Sequence, residues 1–142
     1  MTAQRIVVAV DGSPNSLEAV RWAAQMACHT GAEVLAVHAR GLLEHDAHGA
    51  LVPAQRDRAE LEERLHDEWC VQLFRAGVRY ESMVVDGTPA TVVLTAARHH
   101  DAGTIVVGRR GVGGHPGMVL GSTSLEVAAA ADCPVVIVPV GT

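Results

Sequence analysis

Five short apolar runs, each separated from the next by a helical stretch, restrict this chain more than any other feature. They are Arg5 to Val10, Glu33 to Ala39, Val78 to Val85, Thr104 to Val107 and Val135 to Val140. Most are continuously apolar, as expected for strands buried on both faces, and too short for buried helices. The third differs. Val78, Tyr80, Ser82 and Val84 alternate with Arg79, Glu81 and Met83, which suits a strand near a sheet edge. Strand and helix alternate throughout, and right-handed crossovers then give an α/β sandwich: a parallel sheet with helices on both faces.

The intervening stretches carry their own punctuation. Asp11-Gly12-Ser13-Pro14 ends the first run, with Ser13 a good N-cap and Pro14 suited to the first helical position. The helix it opens has Leu17, Val20, Ala24 and Ala27 on one face and stops at Gly31. Residues 40–53 read as a polar connection. A charged helix follows from Gln55 to Ala76, its Leu61, Leu65, Trp69 and Leu73 recurring every fourth residue. Asp86-Gly87-Thr88-Pro89 repeats the turn-cap-proline device, and Val93, Ala96, Ala97 and His100 share a face of the helix behind it. A last helix is expected from Leu120 to Ala131. The length of 142 residues fits one domain, 1–142, with a real core.

All eleven basic residues are Arg, and no Lys occurs. A P-loop NTPase, which needs its Lys on the phosphates, and a Schiff-base enzyme are therefore excluded. A net charge of −5 without a basic cluster argues against nucleic-acid binding. Cys28, Cys70 and Cys133 form no CxxC pair and suit a reducing compartment, most simply as buried small hydrophobes. No apolar run approaches membrane-spanning length and no secretory signal is evident, so a cytoplasmic protein is expected.

The stretch from Gly108 to Ser122, GRRGVGGHPGMVLGS, follows the fourth apolar run and precedes the last helix. Its glycines (Gly108, Gly111, Gly113, Gly114 and Gly117) let backbone N–H groups approach an anion, and the helix N-terminus adds unpaired donors and a positive dipole end. Ser122 can cap that helix or offer its hydroxyl to a phosphate. In open parallel sheets, ligands bind beyond the carboxyl ends of the strands, where strand order reverses. If the first and fourth strands are neighbours there, Asp11 and the Gly108 loop face one crevice.

The spacing G-x2-G-x9-G-[ST] at Gly108, Gly111, Gly121 and Ser122 resembles the nucleotide-binding motif of the universal stress protein family. The likeness extends to the VAVDGS opening, the VLAVHA second run, the DGTPA turn and the GSTSLEVAAAADCPVVIVP ending. It implies a three-layer, Rossmann-like fold of the adenine nucleotide alpha hydrolase type, with sheet order 3-2-1-4-5, and the binding of ATP with Mg²⁺ between its phosphates. It further implies that Asp11, flanked by Val10 and Gly12, meets the ribose region, and that Ala39 lies beside the adenine, where the family usually has Val. Gly108 and Gly111 lie under the ribose and phosphates, with Gly113 and Gly114 in the same loop. Gly121, Ser122 and Thr123 hold the phosphates. Arg109 and Arg110 either pair with a phosphate or are solvated, and His115 is a further loop residue. The family commonly forms homodimers through the last strand, Val135 to Val140.

Other constellations are weaker. His45, Asp46 and His48 have loop spacing for a metal, His99-His100-Asp101 ends a helix where His suits the dipole, and Asp57 to Asp67 is a charged helix face. The reading is an ATP-binding regulatory or stress-response protein that binds rather than turns over nucleotide. The alternatives are a slow ATPase or nucleotidyl-transferring enzyme on the same fold, whose HIGH or SGGxDS motifs are absent from DGSPNS, and a nucleotide-independent dimeric interaction module.

Overall fold

The apolar runs pair side by side in a computed structural model that describes residues 4–41, 43–45, 47–53, 57–110 and 120–139. We label the sheet strands β1 (Arg5–Ala9), β2 (Glu33–Arg40), β3 (Tyr80–Asp86), β4 (Thr104–Gly108) and β5 (Val135–Val138). All pair in parallel, in the order β3-β2-β1-β4-β5, which is the expected 3-2-1-4-5. β1 is central: Val7 faces Leu35 on one side and Ile105 on the other, and Val7 and Val8 are fully buried. The chain leaves β1 towards β2, then crosses back to β4, so the reversal falls between β1 and β4. β3, the polar run, is an edge strand, as its alternation required.

Among the described residues, five α-helices cover the two faces. α1 (Pro14–Thr30), α2 (Arg58–Arg64) and α3 (Val71–Ala76) pack on the face bearing Ile6, Val8, Val34 and Ala36. α4 (Pro89–His99) and α5 (Ser122–Ala130) pack on the face bearing Val7, Leu35, Val37 and Val107. Small side chains dominate the inner face of α1, where Ala19, Ala23, Ala24 and Ala27 let the helix lie close to the sheet. Leu17, expected on that inner face, is exposed, and Ser16 takes the inward position instead. The helix ends at Gly31, whose φ of 75° is the left-handed conformation glycine adopts without cost.

The charged helix is not continuous. Between α2 and α3, Leu65–Trp69 forms a π turn in which the Cys70 N–H reaches back to the Leu65 carbonyl at 3.0 Å. The period-four pattern explains it. Four residues of α-helix advance a side chain about 40° past a full turn, so Leu61 and Leu73 would diverge by about 120° over three steps. The wider π turn takes back that drift, and Leu61, Leu65, Trp69 and Leu73 all reach the core. Asp57 caps α2, so the helix starts at Arg58, while Gln55 and Arg56 lie outside the described residues.

Residues 40–53, expected as a plain connection, contain a short antiparallel pair, Leu43–His45 with Leu51–Pro53. Burial of all three cysteines is not observed. Cys70 is buried, Cys133 half-buried and Cys28 exposed. Burial pushes the Cys70 thiol up to about 12. Among the described residues, no helix is long and apolar enough to cross a membrane.

Candidate functional site

The turn after β1 is satisfied by its own side chains. Asp11 Oδ1 accepts from the Ser13 N–H at 2.9 Å, and Ser13 Oγ accepts from the Ser16 N–H at 3.3 Å, which is the N-cap of α1. The Ser16 hydroxyl donates to the Ser13 carbonyl at 3.1 Å and accepts from the Asp11 N–H at 3.2 Å. Ser13 and Ser16 are both buried. Gly12 has φ of 81°, and the Trp69 indole lies against it, so close that a Cβ there would fall 2.6 Å from Cζ2. Glycine is therefore needed twice over, for its backbone and for the contact.

The turn after β4 is built differently. Gly108 ends the strand against the first turn of α1, and a Cβ there would fall 2.7 Å from the backbone carbon of Asn15. Its first role in the structure is close strand-to-helix packing. Arg109 then ties three elements together. Its N–H donates to the Val138 carbonyl at 2.8 Å, and its carbonyl accepts from the Gly121 N–H at 2.7 Å and the Ser124 hydroxyl at 2.9 Å. The two ends of the loop, Arg109 and Gly121, are thereby pinned together, and the N-terminus of α5 sits beside the end of β4.

Among the described residues, no side chain caps that N-terminus. Gly121 is the N-cap residue, in extended conformation, and Ser122 is the first helical residue. The expectation that Ser122 caps the helix is corrected: a side chain one position into the helix points away from its own first-turn amides. The Ser124 hydroxyl is spent on the carbonyls of Gly121 and Arg109. The first intrahelical bond runs from Leu125 N–H to the Gly121 carbonyl at 3.0 Å, so the amides of Ser122, Thr123 and Ser124 precede the ladder. Arg109 is half-buried, and its Nε is a buried donor with no hydrogen-bond partner among the described residues. A wholly solvated Arg109 is thus ruled out, and an orphaned donor of this kind costs about 1–3 kcal/mol until something accepts from it. Gly111, Gly113, Gly114 and His115 lie outside the described residues.

The carboxyl ends of β2 and β3 complete the same edge. Ala39 is half-buried, and its neighbour His38 is buried on the opposite face of the sheet, against Trp69. Asp86 pairs with Arg58 at 2.7 Å and Arg40 at 3.2 Å. The hydrogen bond from Arg40, with the charge of Arg58 beside it, holds the Asp86 carboxyl below its usual value. Sequence reasoning missed His38, Trp69, Ser16 and Ser124. A histidine inside an apolar strand and a period of four in a helix were the available signals for the first two. Of the remaining constellations, Asp46 lies outside the described residues, and among those described no group of three His, Cys, Asp or Glu could hold a metal ion.

The sequence as a whole has close counterparts. The model of the universal stress protein family matches residues 2–139. A universal stress protein of Thermus aquaticus is 34% identical over 135 residues, spanning 94% of this chain and 96% of the relative. The solved structure of a universal stress protein in complex with cAMP has a TM-score of 0.75 at 26% identity, covering 99% of this chain and 100% of the other. That of an Archaeoglobus fulgidus universal stress protein in complex with dAMP has a TM-score of 0.72 at 25% identity, covering 97% and 99%. Matched by the family model over nearly its whole length, and by a relative 34% identical, the chain belongs to the universal stress protein family.

Proposed function

We propose that this protein binds ATP, as a regulatory rather than catalytic step in a stress response. The observation that carries the reading is the uncapped N-terminus of α5, pinned beside the end of β4. Unpaired first-turn amides and a positive dipole end form an anion site, and here no side chain of the described residues fills it. The complexes of relatives with cAMP and dAMP favour an adenine nucleotide as the anion's source.

In this reading Val10, Asp11, Gly12 and Ala39 meet the nucleoside. Gly108, Arg109, Arg110, the loop glycines Gly111, Gly113 and Gly114, and Gly121, Ser122 and Thr123 surround the phosphates. The Arg109 side chain supplies the cation that the absent Lys would otherwise provide, and its orphaned Nε gains an acceptor. Mg²⁺ would be held by the phosphates themselves. Among the described residues none is placed as a water-activating base, and hydrolysis is expected far below the ~10 s⁻¹ typical of enzymes.

The assembly expected is a homodimer through β5. The carbonyls of Pro134 and Val138 accept from Ile105 of β4 and from Arg109 directly after it. Alternation along the strand then turns the backbone groups of Val135 and Ile137 outward, on an edge without charge. Ile137→Pro removes one outward donor, and it should convert a dimer to monomer by light scattering. A native chain already monomeric at tens of micromolar would overturn the dimer.

The nucleotide reading is tested by mass spectrometry of what the freshly purified protein releases on denaturation, followed by calorimetry with ATP, ADP and AMP. ATP should bind at least tenfold more tightly than AMP. Equal affinities would remove the phosphate chain from the site.

A further inference from the structure

We propose that His38 is a positioning residue that holds β1 and β2 apart at their carboxyl ends, leaving the main-chain edge of Ala39 open to a ligand. The argument begins with the ladder. Glu33 N–H donates to the Gln4 carbonyl and the Val37 carbonyl accepts from Val10 N–H, so odd-numbered residues of β2 turn their backbone groups towards β1. Even-numbered ones face β3, as Val34 N–H to the Arg79 carbonyl and Gly87 N–H to the Arg40 carbonyl record. Ala39 therefore faces β1, and the next rung of a regular parallel ladder would join its N–H to the Val10 carbonyl.

That rung is missing among the described residues. The Val10 carbonyl instead accepts from His38 Nδ1 at 2.7 Å, and since a carbonyl only accepts, Nδ1 carries the proton. The ring is fixed in place by Trp69, which meets it edge-on with centroids 5.2 Å apart. Trp69 itself is wedged between His38 and Gly12, with the Arg64 guanidinium 5.6 Å from its ring centroid. The π turn is what delivers Trp69 to this point. One side chain thus takes the acceptor that the sheet would have used, and an adjacent N–H and C=O of Ala39 are left looking into the gap between two strands.

Such a pair recognises the edge of a flat heterocycle that offers an acceptor beside a donor, as adenine does with N1 and its amino group. This rests on the nucleotide reading above, in which Ala39 already meets the nucleoside, and it adds His38 as the residue that keeps that edge free. Ala39 could not present that edge if β1 simply zipped one residue further.

The test is amide hydrogen exchange at Ala39, followed by NMR in the absence and presence of ATP. In the free wild-type protein the Ala39 amide should exchange at least tenfold faster than that of Val37, and ATP should slow it. In His38→Leu the Val10 carbonyl is released to Ala39, so the amide should be protected without nucleotide. ATP affinity should then fall about tenfold, while affinity for inorganic tripolyphosphate, which has no base, stays unchanged. His38→Asn, whose Nδ2 can donate from a similar position, should restore both fast exchange and ATP affinity. An Ala39 amide already protected in the free wild-type protein would overturn the open edge, whatever the variants do. Loss of ATP and tripolyphosphate affinity together in His38→Leu would also overturn the positioning role. Exchange that follows these expectations in a protein that binds no ATP would overturn the nucleotide reading and leave the divided edge standing.

Discussion

Two strand-to-helix turns meet where the sheet order reverses, and they treat their helix N-termini in opposite ways. After β1, the chain makes four hydrogen bonds within six residues, Asp11 to Ser16, and α1 begins capped. After β4, the chain places Gly121 at the N-cap and diverts the Ser124 hydroxyl to carbonyls, and among the described residues no side chain caps α5. An N-terminus that caps itself is a structural joint. One that leaves its donors open, with a buried Arg109 Nε that finds no partner among the described residues, carries a standing cost that only an acceptor relieves. The first turn therefore supplies rigidity, and the second supplies the anion site that rigidity holds in position.

The largest effect should come from the residue shared by both turns. Gly108 touches Asn15, so Gly108→Val must push β4 away from α1. Overpacking of this kind costs about 1–3 kcal/mol, and ATP affinity should fall with it. Thermal unfolding with and without ATP checks both, and a variant of native stability would show that the two turns are not in register through this contact.

A smaller change separates the turns. Ser13→Ala deletes the α1 cap and should cost about 1 kcal/mol of stability, measured by urea unfolding, with ATP affinity within about twofold once the protein is folded. If affinity fell tenfold instead, the capped turn would be part of the ligand site and the division of labour would be wrong.

How much of this was legible beforehand follows from which interactions are local. Ser13 and Pro14 announce α1 because a cap and its proline are neighbours in sequence, and apolar runs announce strands because burial on both faces leaves no room for polar residues. Sheet order came from the resemblance and its reversal was confirmed. The π turn was written into the period of Leu61, Leu65, Trp69 and Leu73, but period four also suits an ordinary helix. The task assigned to His38 depends on a carbonyl far away in the chain, Val10, and no local pattern encodes that. Leu17 points outward because Ser16 is called inward by the Asp11 and Ser13 network, again a contact across a turn. Residue type alone leaves Ser122 as either a cap or a hydroxyl for a phosphate, and its place as the first helical residue removes only the cap.

The smallest effect comes from the end of the edge strand β3, two strands from β1. Asp86 is held below its usual value by the hydrogen bond from Arg40 and the charge of Arg58. A depressed carboxylate contributes stability above its unfolded value, about 3.9, and loses it as pH falls through the folded one. Asp86→Asn should lower the melting temperature slightly at pH 7, less so in high salt, with the difference shrinking below about pH 4. ATP affinity should not follow.

The comparison between the two turns is tested most directly by giving α5 the cap it lacks. Gly121→Asp places a carboxylate where the anion is expected, on a backbone already in N-cap conformation. Calorimetric titration with ATP should show at least a tenfold loss of affinity, about 1.4 kcal/mol or more, while the melting temperature of the free protein is held or raised. Affinity unchanged in a folded Gly121→Asp protein would contradict the account, because the phosphates would then be bound somewhere other than the bare N-terminus of α5.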